Sequence, residues 1–281
     1  MIKLQTPVTD TKCRTGISYS DKILMLGSCF SDNIGTLLKN YGFNVCINPF
    51  GTLYNPASIL SSIRRLSEER SFIPDDCMEI GAGDKRICSF HHHTSFARTS
   101  EEEFLINANK VLDKACAFFK ECNKVIITLG TSWCYRHVQR DMIVSNCLKR
   151  HPQDFVREFL QHDETAAILK EIMNLCQGKE FIFTVSPIRH LKDGAHGNQI
   201  SKASLLLAIE EISGVSDYFP AYEIMMDELR DYRFYSEDMC HPTQQAVNYI
   251  GERFFDWALP AEEHEMLKEN IRRFKHASHK A

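Results

Sequence analysis

Residues 22–35 read KILMLGSCFSDNIG. After Lys22 come four apolar residues, 23–26, a run that fits an interior strand. It stops at Gly27, where glycine allows a sharp backbone reversal. Ser31, Asp32 and Asn33 are residue types that favour helix starts. The stretch reads as a buried strand that turns at once into a helix. Ser28 then stands between the carboxyl end of one and the amino end of the other. Open α/β sheets place their ligands at such corners. Ser28 either caps the helix or, with a base supplied from elsewhere, acts as a nucleophile.

The same grammar recurs along the chain. KVIITL (124–129) runs into Gly130-Thr131-Ser132, and FIFTV (181–185) runs into Ser186-Pro187. NVCINPF (44–50) closes at Gly51. Helical spacing of apolar residues follows in 31–42, 56–70, 100–121, 152–160, 163–179, 201–214 and 241–259. Ser100 and Glu103 read as a capping box. Residues 76–98, around the Gly-Ala-Gly-Asp turn, read as a β-hairpin insertion. Residues 216–229 are ambiguous, being interrupted by Pro220, and residues 260–281 read as a helical tail. Alternating buried strands and helices predict an α/β protein with a mostly parallel sheet and helices on both faces. One domain over residues 1–281 is the simplest reading. In a parallel sheet the ends at Gly27, Gly51, Gly130 and Ser186 share one edge.

Composition narrows the function. The formal net charge of -4 gives no electrostatic support for nucleic-acid binding. Eleven scattered cysteines, with no C-x-x-C pair, fit reduced thiols rather than a disulfide framework or zinc ribbon. The start, MIKLQTPVTDTKC, lacks the apolar core of a secretory signal. No apolar run reaches the length of a membrane span. The expected setting is cytoplasmic, with neither a membrane nor a nucleic acid as partner.

A nucleophilic serine needs a base. SEDMCHPT (236–243) sets Asp238 three residues before His241. In a tight loop that carboxylate can bond one ring nitrogen, fix the tautomer and leave the other nitrogen to take a proton. The bland alternative is that Asp238 caps the last helix and His241 is merely exposed.

Together these two motifs resemble the SGNH hydrolase superfamily, with a serine after the first strand and an Asp-x-x-His before the last helix. Six strings in order narrow the resemblance: GSCFSDNIG, NPFGTLYNP, ITLGTSWCY, TVSPIRHLKDG, SKASL and YEIMMDELRDYRFYSEDMCHPT. They are similar to the GSCFA family from about Lys22 to Phe255, with Ser31 in place of the alanine of the family's name. The resemblance implies a three-layer α/β/α, flavodoxin-like fold. It implies Ser28 as nucleophile, His241 as general base and acid, and Asp238 as the orienting carboxylate. It implies an oxyanion hole from the Ser28 and Gly51 N–H groups and an asparagine in a Gly-x-Asn. That asparagine is missing here, since the tripeptide is Gly130-Thr131-Ser132. A hydroxyl of Thr131 or Ser132, or the amide of Asn146, is left to supply the third donor.

The expected activity is hydrolysis or transfer of an O-acyl ester, the substrate being an acylated carbohydrate or small metabolite, without cofactor or metal. A non-catalytic binding module on the same fold is the alternative favoured by the missing asparagine. A metal-dependent hydrolase built on His91 and His93, which share one face if they lie on a strand, is the third reading. His93, Trp133, Arg189 and His190 are candidate substrate contacts. Arg189 suits an anionic group, though a structural salt bridge is an equal reading. Cys29 is expected to point into packing, away from Ser28.

Overall fold

In a computed structural model, residues 6–9 and 11–278 are described. The central sheet has five parallel strands: β1 (Lys22–Gly27), β2 (Asn44–Ile47), β5 (Lys124–Leu129), β9 (Glu180–Val185) and β10 (Asp217–Phe219). Their order is β10-β9-β5-β1-β2, so the chain reverses its direction of winding between β1 and β5. Ligand crevices form at such reversals, outside the carboxyl ends of the strands. The helices are α1 (Cys29–Asn40), α2 (Pro56–Glu68), α3 (Glu101–Glu121), α4 (His162–Leu175), α5 (Gly194–Glu210), a one-turn α6 (Ala221–Glu223), α7 (Gln244–Ala258) and α8 (His264–Ser278).

Period-two alternation sorts the strand residues onto two faces. Leu24, Leu26, Val125, Ile127, Phe181 and Phe183 belong to a core shared with α2, α3, α4 and α5. Ile23, Met25, Ile126 and Ile182 belong to the opposite core, with Phe30, Ile34 and Leu38 of α1 and Ile250 and Phe254 of α7. This is the three-layer α/β/α arrangement expected. Each such side chain, fully buried, contributes roughly 1.5–3 kcal/mol before its entropy is counted.

The insertion hairpin is present as β3 (Met78–Glu79) against β4 (Ile87–Cys88), antiparallel. Two expectations fail. Residues 152–160 do not form a helix: β8 (Phe155–Phe159) pairs antiparallel with β6 (Trp133–His137), which also pairs with β7 (Met142–Val144). His91 and His93 do not share a strand face either, because β4 ends at Cys88 and the histidines lie in the following turn. At Ser100 only half of a capping box forms. Its hydroxyl accepts from Glu103 N–H at 3.2 Å, while the Glu103 carboxylate takes the Thr99 hydroxyl at 2.5 Å. No helix among the described residues is long and apolar enough to cross a membrane.

Gly27 fixes the corner. Its φ is +142°, and a Cβ there would lie 2.2 Å from the Thr128 carbonyl oxygen. Gly27→Ala is therefore expected to lower stability by roughly 3 kcal/mol or more. Gly178→Ala, also at positive φ but facing open space, should lose only about 1–2 kcal/mol. Urea midpoints of the two variants check the difference.

Candidate active site

The corner after β1 is built by backbone contacts. Gly27 N–H donates to Asn48 Oδ1 (2.8 Å), and Asn48 Nδ2 donates to Asp32 Oδ1 (2.6 Å). Leu53 N–H donates to the Gly27 carbonyl (2.8 Å), and the Gly130 and Thr131 N–H groups both donate to the Tyr54 carbonyl (2.9 Å each). The loop after β2 is thereby laid across the ends of β1 and β5.

Ser28 is the N-cap of α1 and is fully buried, at 0% exposure. Its hydroxyl accepts from Phe30 N–H at 3.3 Å, and its own N–H donates to the Thr128 carbonyl at 3.3 Å. Cys29, half-buried, lines a cleft of about 530 Å³ that also takes in Tyr54, Trp133, Asn146, His190 and His241. Burial, reinforced by the Asp32 carboxylate, pushes the Cys29 thiol up to about 11.

The loop before α7 carries the Asp–His pair. His241 Nδ1 meets Asp238 Oδ2 at 2.6 Å, and Asp238 Oδ1 accepts from the Cys240 and His241 N–H groups at 2.9 Å each. Asp238 thus braces the loop and orients the ring at once. Those N–H bonds and the ring contact hold its carboxyl down at about 2. His241 Nε2 has no hydrogen-bond partner among the described residues. Both side chains are about half exposed, at 49% and 52%. The loop is fastened to the end of β9: Arg189 N–H donates to the Cys240 carbonyl and Arg189 Nη1 to the Met239 carbonyl, each at 3.1 Å. The Arg189 guanidinium also lies 5.2 Å from the Tyr235 ring centre. Arg189 therefore holds the Asp–His loop, and among the described residues no carboxylate pairs with it.

The other candidate residues fall in three places. Trp133 lines the cleft between Phe159 (ring centres 4.9 Å apart) and the Arg157 guanidinium, 4.0 Å from its ring. His190 lines it too, edge-on to Tyr54. Burial, and then the nearby Lys202 ammonium, push His190 down to about 4. Thr131 reaches the cleft, but its hydroxyl is bonded to Ser201 Oγ at 3.0 Å. The Ser132 hydroxyl is buried and donates to the Ser201 carbonyl at 3.0 Å. Asn146 lines the cleft with its Oδ1 engaged by Leu148 N–H (2.7 Å) and its Nδ2 without a partner among the described residues. Gly51 N–H is already bonded to the Asn48 carbonyl at 2.8 Å. A Cβ on Gly51 would sit 2.3 Å from His93 Cβ, so His93 covers this glycine instead of lining the cleft.

The three consecutive histidines separate. His91 lines a different cleft, of about 650 Å³, with Arg64, Arg65 and Asp76. His92 is buried among Phe50, Phe72, Phe96 and Phe104. No group of three or more histidine, cysteine, aspartate or glutamate side chains suited to a metal ion occurs among the described residues.

One residue of the site was not anticipated. Lys202, 1% exposed on α5, donates to the Gly130 carbonyl at 2.6 Å and the Ser186 carbonyl at 2.8 Å, tying the ends of β5 and β9 together. No carboxylate pairs with it among the described residues, and burial lowers it to about 7, partly offset by Cys29. The sequence carries a signal for it: Lys202 stands at helical spacing with Leu205, Ala208 and Ile209, on the buried side of α5.

A doubly wound α/β protein with an oriented Asp–His pair beside the switch point of its sheet is the class that this geometry defines. The chain belongs to the GSCFA family, whose profile matches residues 22–254. No curated protein matches the sequence. Among solved structures it is similar to a Clostridium thermocellum family 3 carbohydrate esterase, at 10% identity over 89% of this chain and 98% of that one, with a TM-score of 0.38. A likeness so distant carries no argument about activity.

The buried histidines give a pH prediction. His91 and His190 lie near 4 in the fold against an ordinary 6.5, and His92 is also well below it, each mainly through burial. The unfolded chain then binds more protons, so stability falls as pH drops from about 6.5 towards 4. Urea midpoints should decline through that window. The imidazole signals of His190 should titrate near the bottom of it. A flat midpoint from pH 7 to 4.5 contradicts the burial of these rings.

Proposed function

We propose that the protein is an acyl hydrolase or acyl transferase that opens an ester through a nucleophile at the β1–α1 corner. His241 serves as general base and acid, and Asp238 orients it. The observation that carries this reading is the 2.6 Å Asp238–His241 contact, with His241 Nε2 unpartnered at the rim of a cleft that also contains the start of α1. In this reading Asp238 fixes the tautomer, so the proton sits on Nδ1 and the lone pair of Nε2 accepts the nucleophile's proton. The nucleophile attacks the acyl carbonyl, His241 returns the proton to the leaving alcohol, and water or a second hydroxyl releases the acyl group. The sequence motif nominates Ser28 for the attack.

The cleft favours a polar, ring-bearing substrate. Tyr54 and Tyr135 put aromatic rings in its wall and Lys192 brings a positive charge, while Arg157 stacks on Trp133 and is paired with Asp193. An acylated carbohydrate or small anionic metabolite fits that lining. Asn146 Nδ2 is the side-chain donor best placed for an oxyanion, since the hydroxyls of Thr131 and Ser132 are held by Ser201. A second reading, a binding module without turnover, draws on the engagement of the Ser28 and Gly51 N–H groups within the fold.

Hydrolysis of p-nitrophenyl acetate separates the two. His241→Ala is expected to lower kcat/KM by roughly 10³-fold or more, and Asp238→Asn by about 10²–10⁴-fold. Asn146→Ala should lower kcat by roughly 10²–10³-fold with little change in KM. Turnover that is indifferent to His241 would refute the mechanism, and no turnover of any aryl ester by folded wild-type protein would favour the binding module.

A further inference from the structure

We infer that the cleft beside α2 is a second binding site, for a small molecule that carries a phosphoryl group on an apolar body. This site is independent of the acyl-transfer chemistry proposed above. The cleft, of about 650 Å³, shares no lining residue with the one that holds His241. The β6–β7 ribbon divides them. Tyr135 pairs with Val144, and Arg136 with Ile143. Successive pairs face opposite sides of a ribbon. The first pair lines the His241 cleft and the second lines this one.

The end of α2 assembles the site. Leu60, Ser61 and Arg64 stand at helical spacing and line one side of the cleft. The helix stops at Glu69, whose φ of +51° turns the chain back, and Arg70 N–H then donates to the Arg65 carbonyl at 3.1 Å. Arg65, 2% exposed, holds the returning segment: its Nη1 donates to the Arg70 and Ser71 carbonyls at 3.0 and 3.1 Å. Its charge is only loosely matched. The Asp76 oxygens lie 3.3 and 3.5 Å from its two Nη atoms, long for a charge-assisted bond. Its Nε is buried with no partner among the described residues.

Around this frame, guanidinium donors outnumber their acceptors. Arg64 gives Nε and Nη2 to one oxygen of Glu171, leaving Nη1 unbonded among the described residues. Arg136 gives Nε to Glu158 and Nη1 to Asp141, leaving Nη2 unbonded in the same sense. The Arg70 guanidinium makes no hydrogen bond among the described residues, and the Glu68 carboxylate lies 3.9 Å from its Nε. Three guanidinium groups with open edges, and Arg65 behind them, thus border one cavity. Asp76 and Asp141 are the carboxylates that line it, and Asp141 is 85% exposed. Such edges match phosphoryl oxygens two at a time, and a phosphoryl group offers three acceptor oxygens where a carboxylate offers two.

The rest of the lining selects the body of the ligand and supplies a reporter. Leu60, Ile73, Met142 and Ile143 give the cleft an apolar wall, which suits a ring or short chain behind the charged head. His91 lies between the two: its Nδ1 is 3.3 Å from Ser61 Oγ, and its Nε2 is 3.8 Å from Asp76 Oδ1. Burial, and then the Arg65 guanidinium, push His91 down to about 4; Arg70 and Arg140 act the same way and Asp76 opposes them. At neutral pH the ring is therefore uncharged and can register a bound anion without titrating.

The test titrates phenyl phosphate, inorganic phosphate and benzoate into full-length protein at constant ionic strength, following the histidine imidazole signals. Phenyl phosphate is expected to shift the His91 signals saturably and to leave those of His241 in place. Inorganic phosphate should bind the same site more weakly than phenyl phosphate, and benzoate at least about tenfold more weakly. Arg64→Ala and Arg70→Ala, both at side chains about half exposed, should each weaken phenyl phosphate binding by roughly tenfold or more with unchanged circular dichroism. Arg70→Lys, which keeps the charge and loses the fork, should fall between wild type and Arg70→Ala. Absence of a saturable shift at His91 overturns the inference. So does a shift of His241 instead of His91, equal affinity for benzoate, or undiminished binding by both alanine variants. Each of these outcomes leaves the acyl-transfer reading intact, since that reading is tested by turnover and by His241→Ala.

Discussion

The close approach of Gly27 to the Thr128 carbonyl is the constraint on which the rest of the molecule turns. Only a residue without a Cβ allows β1 and β5 to stay paired to their last residues and still permits the chain to reverse immediately afterwards. Because the strands stay paired, the first turn of α1 is delivered at the point where the sheet changes its direction of winding. Because Gly27 N–H is free to bond Asn48, the loop after β2 is pulled over the same spot and Asp32 is held at its edge. The wall of the cleft, the helix N-terminus and the glycine-lined strand ends all follow from that single contact.

The electrostatics of the site have a common direction. His190, Lys202 and Cys29 all sit where burial disfavours charge, so each is driven towards its neutral form. Asp238 is the exception: exposed and bonded by two N–H groups, it stays ionised. Asp238 therefore stands ionised at the rim, while these three groups are driven towards their neutral forms inside. Such a layout suits a reaction in which charge appears only while bonds are changing.

Much of this was legible in the sequence. The three six-residue central strands, β1, β5 and β9, declared themselves by short apolar runs that end in glycine or serine, and their alternation with helices gave the layered architecture. The Asp-x-x-His spacing foretold the pairing of Asp238 with His241. What failed did so for physical reasons. In β8, Phe155 and Phe159 lie four residues apart, a spacing that is in phase with both a helix and a strand. Only the pairing with β6, itself hidden in Trp133–His137, decides between them. Lys202 was readable as a cation on an apolar stripe but became meaningful only once the ends of β5 and β9 were seen to meet there.

The Asp238–His241 loop is anchored differently from the corner it serves. The corner is woven into the central sheet and shares in global stability. The loop is half exposed and is tied to the body through Arg189 and a few bonds within residues 234–243. Segments with few buried contacts open at lower free energy than core strands. Warming or mild denaturant should thus detach His241 from the β1–α1 corner while the sheet is still folded. Opening of the loop then becomes a local, reversible event that precedes melting, and amide hydrogen exchange would record it as early exposure of the Cys240 and His241 N–H groups against a protected β1.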